Sequence, residues 1–89
     1  SYSDYTLRIE FRGTGALALG ETKLPFAEFK ENLHPEGQFN YLQVAVADGK
    51  AKLWLNSQPL KAEPSVKAGT VSVIPEKNLE IRNFRIRAK

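Results

Sequence analysis

Trp54, the only tryptophan in the chain, stands in a pattern that gives it a chemical role. Tyr41 to Ala47 and Lys50 to Asn56 are alternating runs joined by Asp48-Gly49, a pair that tolerates the positive φ of a tight hairpin turn. With Leu42, Val44, Val46, Ala51, Leu53 and Leu55 facing inward, the other parity presents Tyr41, Gln43, Ala45, Ala47, Lys52, Trp54 and Asn56. An indole beside amide side chains suits a sugar, whose C–H face stacks on the ring while the amides take its hydroxyls. The candidate ligand-binding residues are therefore Trp54, Tyr41, Gln43, Lys52 and Asn56. The competing reading covers Trp54 with the 21–37 segment, through Phe26 or Phe29, as a second small core.

Other chemistries find less support. Glycoside hydrolysis needs two carboxyl groups on one cleft face, one of them with a raised pKa, and among the ten acids of the chain Glu10, Glu28, Glu31, Glu36 and Glu80 are the candidates. Glu10 and Glu80 sit among Arg8, Arg12, Arg82 and Arg85, which favours cross-strand ion pairing. His34 is the single histidine and precedes Pro35 in a turn, without the convergent partners that a metal needs. No glycine-rich phosphate loop leads from a strand into a helix, and no Ser-His-Asp arrangement is arguable. No catalytic residue, metal or cofactor is predicted.

The net charge of +3 is too mild to imply nucleic acid. It is unevenly spread, because Lys77, Arg82, Arg85, Arg87 and Lys89 face Glu80 alone near the C-terminus. Such a stripe either contacts a polyanion through Arg82, Arg85 and Arg87 or protects an edge strand from pairing.

These side chains need strands to place them. Tyr5, Leu7, Ile9 and Phe11 alternate with Thr6, Arg8, Glu10 and Arg12, the signature of a strand with one dry face. Gly13 and Gly15 bracket a turn into Ala16 to Leu19, which predicts a second hairpin. Residues 21–37 read as a loop with one short strand or turn, with a helical turn after Pro25 as the alternative, and His34-Pro35-Glu36-Gly37 reads as a turn. Gln58 to Glu63 reads as a short edge strand, since Pro59 lacks an N–H for a ladder. Val71 and Val73 mark another strand. Leu79 and Ile81 share one parity and Phe84 and Ile86 the other, so a β-bulge is predicted at Arg82-Asn83. The predicted core is Leu7, Ile9, Phe11, Leu17, Leu19, Leu42, Val44, Val46, Leu53, Leu55, Val71, Val73, Ile81, Phe84 and Ile86. Ala16, Ala18, Ala45, Ala47, Thr70 and Ser72 all take the non-core parity, which predicts something lying close over a small-residue face.

Eighty-nine residues allow one domain, 1–89, and without cysteines its stability must come from sheet packing. No apolar run is long enough to span a bilayer. The start at Ser1 fits either a processed protein or an excised domain. Short strands at regular spacing predict an all-β fold, an antiparallel β-sandwich.

The order of features resembles the 3-keto-disaccharide hydrolase-like domains, which belong with laminin-G-like and concanavalin-like jelly rolls. Asp4-Tyr5-Thr6-Leu7-Arg8-Ile9-Glu10-Phe11-Arg12 is similar to their opening D-[FY]-x-L-x-x-E-[FW]-R strand. Gly37-Gln38-Phe39-Asn40 resembles G-E-W-N with Phe in place of Trp, and Asp48-Gly49-Lys50 and Leu55-Asn56-Ser57 resemble x-G-x and L-N-G. Glu80-Ile81-Arg82-Asn83-Phe84-Arg85-Ile86 is similar to the closing [VE]-x-[FI]-R-N-[IF]-x-[IL]. Members are longer, and the missing length lies between Gly20 and Gly37, where their N-S-G-I strand runs into the cleft loops. Gly15-Ala16-Leu17-Ala18 stands in for that strand without its Asn.

The resemblance implies a minimal jelly roll from a secreted, cell-surface or periplasmic protein. The expected function is a non-catalytic module that binds carbohydrate or another protein domain. One alternative is a pared-down glycoside-processing domain, recognised by two carboxylates sharing a cleft. The other is a structural or assembly module, favoured if Trp54 is little exposed on a flat Ala-rich face.

Overall fold

The alternating runs become the strands they imply. The computed structural model describes residues 4–67 and 70–88, in which eight strands form two antiparallel sheets. They are β1 Tyr5–Arg12, β2 Gly15–Leu19, β3 Thr22–Pro25, β4 Asn40–Ala47, β5 Lys50–Leu55, β6 Gln58–Pro59, β7 Val71–Pro75 and β8 Glu80–Ala88. One sheet runs β6-β5-β4-β1-β8 and the other β3-β2-β7, and their inner faces share one core, which makes the chain a β-sandwich. A short 3₁₀ helix, Phe26–Asn32, follows Pro25, so the 21–37 segment holds both the short strand and the helical turn that its sequence allows. Among the described residues no helix is long and apolar enough to cross a membrane.

Turn chemistry sets the central register. Asp48 and Gly49 take φ of 52° and 75°, the doubly positive combination of a two-residue hairpin whose twist suits its strands, and Ala47 faces Lys50 across it. Asn56 and Ser57 repeat the device at φ 52° and 70°, turning β5 into β6. Pro59 sits on that edge strand, where its missing N–H removes no interior ladder bond.

The predicted hairpin across Gly13-Thr14-Gly15 does not form. β1 pairs with β4 and β8, whereas β2 pairs with β3 and β7, so the chain crosses from one sheet to the other. The β7 to β8 connection makes the same crossing alongside it. Thr14 N–H and Oγ1–H both donate to the Lys77 carbonyl, Lys77 N–H donates to Thr14 Oγ1, and Glu76 N–H donates to the Thr14 carbonyl. First and last strands lie side by side and antiparallel, as the family resemblance implies and their charge patterns allow.

Leu7, Ile9, Phe11, Leu17, Leu19, Leu42, Val44, Val46, Leu53 and Leu55 are all buried as predicted. Tyr5, Leu24, Phe26, Phe29 and Val66 join them. Phe26 stacks on Phe11 with ring centroids 3.8 Å apart, and Phe29 is buried in the same core. Val66 arrives on a return segment held by Val66 N–H to the Gly49 carbonyl and Ala51 N–H to the Pro64 carbonyl.

Cover is thinner where β7 and β8 form adjoining sheet edges. Val71, Val73, Ile81 and Ile86 are only partly buried against the core, and Phe84 is exposed, which corrects its assignment as a core residue. β7 and β8 are the edge strands of their sheets, and a bulge interrupts the β8 ladder. Arg82 faces Glu10 and Arg85 faces Arg8, so Asn83 and Phe84 together oppose Ile9. The bulge lies one residue beyond the predicted Arg82-Asn83, with Asn83 at φ 53°. The small residues also divide. Ala16, Ala18 and Ser72 lie on the three-stranded sheet and Ala45 and Ala47 on the five-stranded one, so no single face carries them.

Candidate functional site

The outer face of the five-stranded sheet is built in cross-strand rows. Trp54 on β5 faces Gln43 on β4, Gln43 faces Arg8 on β1, and Arg8 faces Arg85 on β8. The adjacent row reads Lys52, Ala45, Thr6 and Arg87 across the same strands. Long side chains stand at both ends of these rows, with the small Ala45 and Thr6 between them. The result is an open trough of about 350 Å³ lined by Trp54, Gln43, Ala45, Thr6 and Arg8.

Trp54 and Gln43 are partly buried and Lys52 is exposed, all on the outer parity that alternation assigns them. Phe26 and Phe29 lie in the main core, so the second small core envisaged over Trp54 does not arise from them. Tyr41 lies one row further on, opposite Glu10. Thr6 and Arg8 complete the trough and were not singled out by sequence, because the strand beside β4 is fixed by long-range pairing.

Asn56 has a different occupation. Its Oδ1 accepts Tyr41 N–H at 2.9 Å, and its Nδ2 donates to the Asn32 carbonyl at 2.8 Å and to Asn40 Oδ1 at 3.1 Å. Buried Asn40 also accepts His34 N–H through Oδ1 at 2.6 Å, and the His34 Nδ1–H donates to the Phe39 carbonyl when that nitrogen carries the proton. Asn56 thus ties the hairpin to the end of the 3₁₀ helix, with both amide atoms hydrogen-bonded within the fold.

At the other end of β1 and β8 the charges are matched. Arg12 pairs with Glu80 at 2.6 Å and Arg82 with Glu10 at 3.0 Å. Arg82 and Arg12 also lie over the Phe39 ring, at 3.7 and 4.6 Å from its centroid. The Asn83 amide donates to Glu10 Oε2. That hydrogen bond, together with the Arg82 guanidinium, holds the Glu10 carboxyl below its ordinary value of 4.5. The depressed pKa means that the fold favours the ionised form, so this contribution to stability is present above the ordinary carboxylate range and lost as pH falls below it. Acid titration of unfolding midpoints should therefore show Glu10→Gln losing less stability than the parent chain below about pH 4. Parallel acid limbs for the two proteins would contradict the assignment.

Glu28 and Glu31 line a separate trough of about 260 Å³ with Lys30 and Lys61. Both acids are exposed, whereas a glycosidase acid is kept protonated by an apolar pocket. Among the described residues no cluster of three or more His, Cys, Asp or Glu is placed to hold a metal. No family model, curated protein or solved structure matches the chain.

Proposed function

We propose that the chain is a non-catalytic carbohydrate-binding module of shortened jelly-roll type, with Trp54, Gln43, Lys52 and Tyr41 as its ligand face. The observation that carries this reading is the half-buried Trp54 beside Gln43 in an open trough floored by Ala45 and Thr6. An indole edge packed on the sheet loses little conformational freedom on binding, and the neighbouring amide offers both a donor and an acceptor to vicinal hydroxyls. The small floor residues let a ring lie flat. The same reading carries an extracytoplasmic setting, as the resemblance to laminin-G-like and 3-keto-disaccharide hydrolase-like domains implies.

A glycoside-processing activity has one observation in its favour, the trough shared by Glu28 and Glu31. Its exposed carboxyls and the nearby lysines make it the weaker reading. The test is a glycan-array screen followed by Trp54→Ala. Truncating a central aromatic costs about 2 kcal/mol or more of binding, roughly thirtyfold in affinity. The expected variant binds at least that much more weakly and unfolds at the parent midpoint, since Trp54 is a platform outside the core. A variant that unfolds, with no glycan bound by the parent chain, would sink the reading.

A further inference from the structure

All five arginines of the chain lie on β1 and β8, and they divide by what they touch. Arg12 and Arg82 are held by Glu80, Glu10 and Phe39. Arg8, Arg85 and Arg87 are exposed and enter no ion pair among the described residues. Arg8 and Arg85 stand directly opposite each other in the ladder, where like charges repel and destabilise the sheet.

Protection of a sheet edge accounts for Arg85 and Arg87, because β8 is an edge strand. It does not account for Arg8. β1 is paired on both sides, by β4 and β8, and has no edge to protect. A cation opposite another cation on an interior strand is better explained by an anion that comes between them. The three guanidinium groups, with Thr6, Phe84 and Ile86, line an open trough of about 550 Å³. Thr6 and Arg8 also line the trough of Trp54, so the two adjoin across these residues.

Resting on the carbohydrate reading of that face, we propose that the two adjoining troughs together take an acidic glycan. Its carboxylate or sulfate sits between Arg8 and Arg85, and a neighbouring sugar ring lies on Trp54. The guanidinium fork matches the paired oxygens of either anion. Trp54, Gln43, Arg8 and Arg85 form one row, and two inter-strand spacings separate Trp54 from Arg8, about 10 Å, the reach of a disaccharide. Arg82, bonded to Glu10, is not part of this anion site.

The experiment is calorimetric titration of the folded chain with oligogalacturonate, dextran sulfate, neutral dextran and polyglutamate. At least one acidic polysaccharide is expected to bind, in a salt-dependent way because the cations are exposed. The Arg8→Gln/Arg85→Gln variant should weaken that binding about tenfold or more and Trp54→Ala should weaken it comparably, with carboxylate and sulfate preference read from the two probes. Arg85→Gln alone should leave the unfolding midpoint of the free chain unchanged or raised, since it relieves the opposed charges. Neutral dextran bound as tightly as the acidic polymers, with the arginine variant indifferent, overturns this proposal and leaves the carbohydrate reading standing. Polyglutamate bound as tightly, with Trp54→Ala indifferent, overturns both in favour of an acidic polypeptide. Failure of both acidic polysaccharides to bind also overturns it.

Discussion

Replacing Phe11 by alanine is expected to cost about 3–5 kcal/mol of unfolding free energy, because a fully buried aromatic leaves both its transfer energy and a cavity behind. The cavity opens against Phe26, whose ring is stacked on Phe11 at an interplanar angle of 12°, so the loss is felt by both elements. A domain of this size has only about 5–15 kcal/mol in hand, so the variant should sit near its unfolding threshold. Phe26→Ala should cost a similar amount. The double variant should cost less than the sum of the two, since each single change already removes the shared contact. Urea denaturation of the four proteins checks this. Strict additivity would show that the stack does not couple the 3₁₀ helix to β1.

The parts of the fold that were legible in the sequence rest on local chemistry. Asp48-Gly49 predicts a hairpin because few dipeptides accept two positive φ angles, and both are positive here. Parity then fixes the outer face of β4 and β5, and with it Trp54, Gln43 and Lys52. The charge patterns of β1 and the end of the chain allow the pairing that the family resemblance implies, and Arg12 with Glu80 and Arg82 with Glu10 make it specific. Gly13-Thr14-Gly15 misleads because a turn states only that the chain reverses. Whether the next strand stays in the same sheet depends on competitors for the free edge of β1, and β8, more than sixty residues away, takes it.

The same division holds for the site. Arg8 reads as a cross-strand partner for Glu10 or Glu80 until β8 is laid beside it with Arg85 in register. Asn56 reads as a free amide until the 3₁₀ helix brings the Asn32 carbonyl to it. Phe84 is the opposite case. Its parity with Ile86 predicts burial, yet on the edge strand β8 Phe84 is exposed beside the arginine trough.

The sharpest test of the crossing between the sheets is Gly13→Ala, expected to cost about 2–5 kcal/mol. Gly13 has a φ of 93°, and an added Cβ would lie 2.1 Å from the Asn78 carbonyl oxygen and 2.8 Å from the Leu79 Cα. Both obstacles are backbone, so no side chain can swing aside to make room. The positive φ contributes about 1–2 kcal/mol of this, and forcing apart two packed connections adds about 1–3 kcal/mol. The relief is to separate the 13–15 and 76–78 corners, which breaks the hydrogen bonds between Thr14 and Lys77. Gly37→Ala separates the two contributions, because Gly37 has nearly the same φ, 89°, with nothing within 4 Å of an added Cβ. Gly37→Ala should therefore lose only the conformational part, and the excess loss in Gly13→Ala should measure how tightly the two crossings are held together. Equal shifts in the two denaturation midpoints would show that the corners part freely and that the adjacent crossings do not restrain β1 against β8.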